Sequence, residues 1–169
     1  VPILEDNPYG ELRITEDDGL PPIKSFDTQN AVVYAASMSK VLSPGMRVAF
    51  CVGQSELVGK MVMAKQGNDV HTNLWGQRIC ERFLTHCDMA AHLSRVRSIY
   101  RSKALLMAGL LRQELGDRLS FEEPKGGMFL WPALPDDIDP SAFVQKCLEQ
   151  KLAIVPGNAF YVDESAPCQ

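Results

Sequence analysis

Three short apolar runs, "VPILED" at the start, "AVVYAAS" from Ala31 and "MRVAFCVG" from Met46, restrict this chain more than any other feature. Each is continuous rather than alternating, rich in β-branched residues, too short for a helix, and bounded by Gly, Pro, Asp or Asn. Runs of that kind read as strands of a largely parallel sheet buried on both faces. A sheet buried on both faces needs helices, and these follow from Ser55 onward. "SELVGKMVMAKQ" opens with a serine that can cap, and Asn73 to His86 forms a second candidate. From Asp88 to Leu115 apolar residues recur at Met89, Leu93, Val96, Tyr100, Ala104, Met107 and Leu111, with Asp88 as cap and Gly116 as stop. Beyond it, "RLSFEEPKGGMFLWPAL" predicts two strands around a Pro and Gly-Gly turn, "DPSAFVQKCLEQ" a capped helix, and "LAIVPG" another strand. The expectation is an α/β fold divided near Asp88, into residues 1–87 and a smaller α/β domain over residues 88–169.

The 169 residues are 46% hydrophobic, enough for a core, and the formal net charge of -4 comes without a long basic run. That balance gives no electrostatic footprint for nucleic acid or an anionic membrane. No apolar stretch approaches the length of a membrane span, and the first residues lack the pattern of a signal peptide, so the cytoplasm is the expected compartment. Cys51, Cys80, Cys87, Cys147 and Cys168 are odd in number, widely spaced and without C-x-x-C, and read as reduced thiols. On the helical pattern Cys80 and Cys87 share a face while His86 and His92 point elsewhere, so no metal site is expected.

The chemistry concentrates in "YAASMSKVLSPGMRVAF", positions 34–50. Lys40 ends an apolar strand, Ser37 and Ser39 flank it, and Pro44 with Gly45 has the residue order of a type II turn. A reversal there brings Arg47 back toward Lys40, so that two cations and two hydroxyls converge on a small volume suited to a phosphate. Pyridoxal phosphate needs both a lysine amine and a phosphate clamp. Its chemistry also needs a carboxylate opposite the pyridine nitrogen and is helped by a phenol near the ring oxygen. Asp6 and Tyr9 in "EDNPYGEL" supply both groups at the end of the first strand.

Taken in order, "EDNPYGEL", "SMSKVLSPGMRVAF", "AKQGNDVHTN", "GGMFLWPALP" and "VPGNAF" resemble the C-terminal portion of class I/II aminotransferases of fold type I. The similarity is greatest to the branch of 2-aminoadipate and kynurenine aminotransferases, which shares its catalytic domain with MocR-type regulators. The resemblance implies that residues 1–87 form the C-terminal part of the large cofactor-binding domain, with a mostly parallel sheet, and residues 88–169 the small domain. It implies that Lys40 carries the cofactor as a Schiff base, Asp6 pairs with the pyridine nitrogen, Tyr9 reaches the ring oxygen, and Ser37, Arg47 and Ser39 hold the phosphate. It further implies amino-acid and 2-oxo-acid substrates and a homodimer in which His71, Thr72 and Asn73 lie near the neighbouring site, although a helix cap at Thr72 or Asn73 explains that segment equally well. The family's glycine-rich phosphate segment, its ring-stacking aromatic and its carboxylate-binding arginine have no counterpart in this sequence, so the expected activity is that of a larger parent. The alternative is the effector-binding domain of a MocR-type regulator.

Overall fold

The computed structural model describes residues 1–15 and 20–161. The chain forms two units, one of Val1–Arg101 with Lys125–Gly127, the other of Ser102–Pro124 with the residues from Met128 onward.

The first unit is built on a three-stranded sheet of order β1-β2-β3, where β1 is Ile3–Asp6, β2 is Val32–Ser37 and β3 is Ala49–Val52. β1 and β2 are parallel with Asp6 opposite Ala35, whereas β2 and β3 are antiparallel with Ser37 opposite Ala49. The sheet is therefore mixed, and the parallel expectation holds for its first pair alone. The connection from Ser37 to Ala49 is short and contains no α-helix to carry the chain back across the sheet, and β3 returns alongside β2. Within this chain Val32 and Val33 of central β2 are buried, whereas Ile3 and Leu4 of β1 and Phe50 and Val52 of β3 are exposed. Those two strands are the edges of the sheet.

The long connection between β1 and β2 is held by two carboxylates. Glu5 accepts from the backbone N–H groups of Ile23 and Lys24 at 2.8 and 2.9 Å. Asp27 accepts from the N–H groups of Ala31 and Val32, both at 2.9 Å, and from Lys24 Nζ at 2.7 Å. The Lys24 ammonium and these backbone donors hold the Asp27 carboxyl at a pKa of about 2, below its ordinary 3.8, so its contribution to the loop is present above pH 3.8 and fades only as pH falls toward 2.

Helix α1, Ser55–Asn68, starts one residue earlier in capping terms than expected. The carbonyl of Gln54 accepts the first helical bond, from Val58 N at 3.0 Å, so Ser55 is already helical and does not cap. α2, Leu74–His86, has Asn73 as N-cap, its Oδ1 accepting from Trp75 N at 3.0 Å. α3, Met89–Leu115, is preceded by Asp88, whose Oδ1 accepts from Ala91 N at 3.0 Å, and ends at Gly116, where φ is 53° and a side chain would be strained. The N-terminal half of its apolar stripe builds the core of the first unit. Leu12, Val41 and Leu93 form the buried centre, and Tyr9, Met38, Met89, Val96 and Tyr100 pack around them.

In the second unit the later part of α3 buries Ala108 but leaves Leu105, Leu106, Met107 and Leu110 exposed. α4, Pro140–Glu149, is capped by Asp139, whose Oδ1 accepts from Ser141 N at 3.0 Å. The expected C-terminal strands are absent from the described residues. Ser120 and Ala133 make a single reciprocal pair at 3.4 and 2.7 Å, and "LAIVPG" is irregular, with Leu152 and Val155 exposed. A strand needs a ladder partner along its length. The turn that would join the two flanks into a hairpin belongs instead to the first unit, Gly127 N donating to Leu12 O at 2.9 Å and Ile14 N to Lys125 O at 3.0 Å.

Candidate active site

Parallel strands end at the same edge of a sheet, and an antiparallel neighbour begins there. The C-terminal ends of β1 and β2 and the start of β3 therefore share one edge, the usual location for ligands in α/β sheets. Asp6 is the last residue of β1 and Ser37 the last of β2. Because Asp6 lies opposite Ala35, and Ser37 is two residues beyond Ala35, the side chains of Asp6 and Ser37 leave the same face. Asp6 is exposed.

The segment from Met38 to Val48 folds over that edge as a tight double turn. Met38 N donates to Val48 O at 3.0 Å, and Met38 O accepts from Leu42 N and Ser43 N at 2.9 and 3.1 Å. Lys40 sits in the first turn, half-buried, with its Nζ 5.6 Å from the centroid of the Tyr9 ring, within cation–π range. Tyr9 lies in the loop after β1, where its carbonyl accepts from Leu12 N at 2.8 Å. Asn7 ties the start of that loop to β2, its N–H donating to Ala35 O at 2.8 Å and its Nδ2 to the Tyr34 hydroxyl at 3.3 Å.

The second turn differs from the type II expectation. Pro44–Met46 is a 3-10 turn, Gly45 does not take a positive φ, and the left-handed residue is Arg47, at φ 54° and ψ 39°. A non-glycine residue there costs on the order of 1 kcal/mol. It sends the guanidinium back over the turn, where Nη1 donates to Pro44 O at 3.2 Å and Ser39 Oγ at 3.4 Å. Ser37 Oγ accepts from Ser39 N at 3.1 Å, which leaves its own O–H to donate. Lys40 thus meets Tyr9 and Ser39 meets Arg47, whereas Asp6 joins them by strand register alone.

The 3-10 turn is packed from outside by α2. Gly76 of α2 lies against it so closely that a Cβ would stand 2.6 Å from Met46 O and 3.3 Å from Val48 Cγ2. Alanine in a helix normally gains up to about 1 kcal/mol over glycine. A clash with backbone costs about 1–3 kcal/mol, so Gly76→Ala is expected to destabilise the fold despite its better helix propensity. Gly59 in α1 has nothing within 4 Å of the place a methyl would take, and Gly59→Ala is expected to stabilise by about 0.5–1 kcal/mol. Chemical unfolding of the two variants checks the contrast.

Several contributors carry no sequence signal. His92 Nε2 of α3 lies 2.7 Å from Val41 O, in the lysine turn. Arg97, also on α3, donates from Nε to Glu11 O at 2.7 Å and from Nη2 to Glu11 Oε2 at 3.0 Å, holding the loop that carries Tyr9. These partners are 51 and 86 residues apart, beyond the range of any local pattern. In "HTN", Asn73 is the helix cap already described and Thr72 O accepts from Gln77 Nε2 at 2.9 Å. Cys51, Cys80, Cys87 and Cys147 are free thiols, while Cys168 lies outside the described residues. Among the described residues no group of His, Cys, Asp or Glu is placed to hold a metal, and no helix is long and apolar enough to cross a membrane.

A family model described as aminotransferase class I and II matches residues 5–167. The 2-aminoadipate transaminase of Thermus thermophilus is 38% identical over 164 residues, covering 95% of this chain and 41% of the relative. The crystal structure of Pyrococcus horikoshii kynurenine aminotransferase superposes with a TM-score of 0.90 at 33% identity, covering 99% of this chain and 41% of that one. An uncharacterized HTH-type transcriptional regulator of Bacillus subtilis, YdfD, is 30% identical over 162 residues, 95% of this chain and 33% of its own length. The chain spans about two fifths of the length of the aminotransferases it matches.

Proposed function

The chain belongs to the class I and II aminotransferases of fold type I, and from that premise we propose that its protein transfers an amino group from an α-amino acid to a 2-oxo acid with pyridoxal phosphate held on Lys40. The observation that carries the reading is the clustering at one sheet edge of Lys40 against Tyr9, Arg47 against Ser39, and Asp6 on the same face as Ser37. That donor set fits the cofactor, for it combines an amine for the aldehyde, a guanidinium and hydroxyls for the phosphate, a carboxylate for the ring nitrogen and a phenol for the ring oxygen. When bound, pyridoxal phosphate supplies an electrophilic aldehyde carbon and a protonated ring that withdraws electron density from the substrate Cα.

In this reading Lys40 Nζ anchors the cofactor and, once freed by substrate, takes the proton from the substrate Cα and returns it. The Asp6 carboxylate holds a proton on the pyridine nitrogen. Tyr9 donates its phenolic hydrogen to the ring oxygen and offers its ring face to the Lys40 ammonium. The Ser37 hydroxyl donates to the phosphate, and Arg47, steadied by Ser39 Oγ and Pro44 O, pairs with it. The division into a cofactor domain over residues 1–87 and a small domain over residues 88–169, and a cytoplasmic homodimer, belong to the same proposal. The free thiols support a reducing compartment.

A second reading follows from the regulator relative: the same residues would hold the cofactor in a ligand-sensing domain without turnover. Borohydride reduction of the full-length protein with pyridoxal phosphate, followed by peptide mapping, is expected to label Lys40. Label on Lys24, Lys60 or Lys65 instead would overturn the assignment. Labelling of Lys40 with no amino transfer between any amino acid and 2-oxo acid would favour the regulator.

A further inference from the structure

We propose that His92 is a positioning residue for Lys40 and acts through the backbone of the lysine turn; the proposal rests on the reading of Lys40 as the cofactor-anchoring amine. Val41, the next residue, is only 7% exposed, and its side chain lies in the core with Leu12 and Leu93. A carbonyl carried by so buried a residue needs a partner within the protein. The turn's own donors do not supply one, because Leu42 N and Ser43 N both bond to Met38 O. The partner is the imidazole of His92, 2.7 Å from Val41 O. A carbonyl oxygen only accepts, so the contact puts a proton on Nε2. The ring is held in that orientation by Phe83 of α2, which meets it edge to face with centroids 5.0 Å apart.

α3 therefore grips Val41 twice. Leu93 packs with its side chain and His92, one residue earlier on the helix, binds its carbonyl. Fixing both ends of Val41 fixes the backbone leading back to Lys40, so the amine is left with its side-chain torsions alone as it points toward Tyr9. Without the imidazole the carbonyl loses its partner and the turn slackens, while the apolar core beneath remains. Lys40 then spends less time where it can react.

The test uses the full-length protein with His92→Leu, which deletes the donor, and His92→Gln, whose Nε2 can occupy the same place. Backbone amide exchange at Leu42 and Ser43 is measured without cofactor, and the rate of borohydride-trapped pyridoxal at Lys40 is measured with it. His92→Leu is expected to speed the exchange and slow the trapping, each by about tenfold, the loss of one hydrogen bond, and His92→Gln to restore both. Unchanged exchange and trapping in His92→Leu would overturn the proposal, as would equal trapping losses in both variants with exchange unaltered. If His92→Leu fails to fold, His92→Asn, too short to reach Val41 O, takes its place under the same criteria. If the wild type traps nothing at Lys40, the cofactor reading falls and the proposal with it, whereas normal wild-type trapping with an indifferent His92 removes the proposal alone.

Discussion

Lys40→Ala in the full-length protein is expected to abolish amino transfer, lowering kcat by ~10³-fold or more, since in the proposed mechanism one amine would serve as both anchor and proton carrier. The fold should survive. The Lys40 side chain is half-buried at a turn and its one described contact is the Tyr9 ring, so the unfolding free energy should change by less than about 1 kcal/mol. Steady-state kinetics and chemical unfolding on the same preparation separate the two effects. A variant that keeps kcat within tenfold of the wild type would show that another group carries the chemistry, and a variant that unfolds would assign Lys40 a structural role instead.

Asp6→Asn is expected to lower kcat by roughly 10²–10³-fold while cofactor stays bound, because an amide cannot hold the pyridine nitrogen protonated. Asp6 is exposed, and its backbone keeps the register with Ala35 whatever the side chain, so the sheet edge itself should persist. The informative comparison is kcat against cofactor affinity. Loss of affinity with unchanged kcat in the saturated enzyme would make Asp6 an anchor rather than the support of the electron sink, and normal values of both would place the carboxylate elsewhere.

What could be read from the residues was what they decide locally. Asn73, Asp88 and Asp139 mark helix starts because each side chain satisfies a backbone donor two or three residues ahead, and all three do so in the structure. The β1–β3 runs declare themselves by composition. Partnership is not local, and there the reading of "LAIVPG" failed, for it found no ladder among the described residues, while β1 and β3 are the exposed edges of a sheet in a chain that spans about two fifths of its relatives. The Pro44-Gly45 pair suits more than one turn type, and the approach of Gly76, about thirty residues on, accompanies the 3-10 form with its left-handed Arg47. The proposed set of Lys40, Asp6, Tyr9, Ser37, Ser39 and Arg47 came from the lysine turn and the resemblance to a family, and the structure brings Lys40 to Tyr9 and Arg47 to Ser39. His92 and Arg97 were not, since a side chain that binds a distant carbonyl leaves no mark on its own neighbourhood.

The 51-residue separation between Val41 and His92 also has a meaning in time. A ribosome adds about 5–20 residues per second. Every side chain assigned to the cofactor lies between Asp6 and Arg47, so all of them emerge before the histidine that steadies the lysine turn has been made. For some seconds the nascent chain carries these six side chains without the clasp proposed to order the lysine turn. If His92 positions Lys40 as proposed, reaction of the lysine with cofactor should be slower until α3 has been made, which would favour loading late in biogenesis.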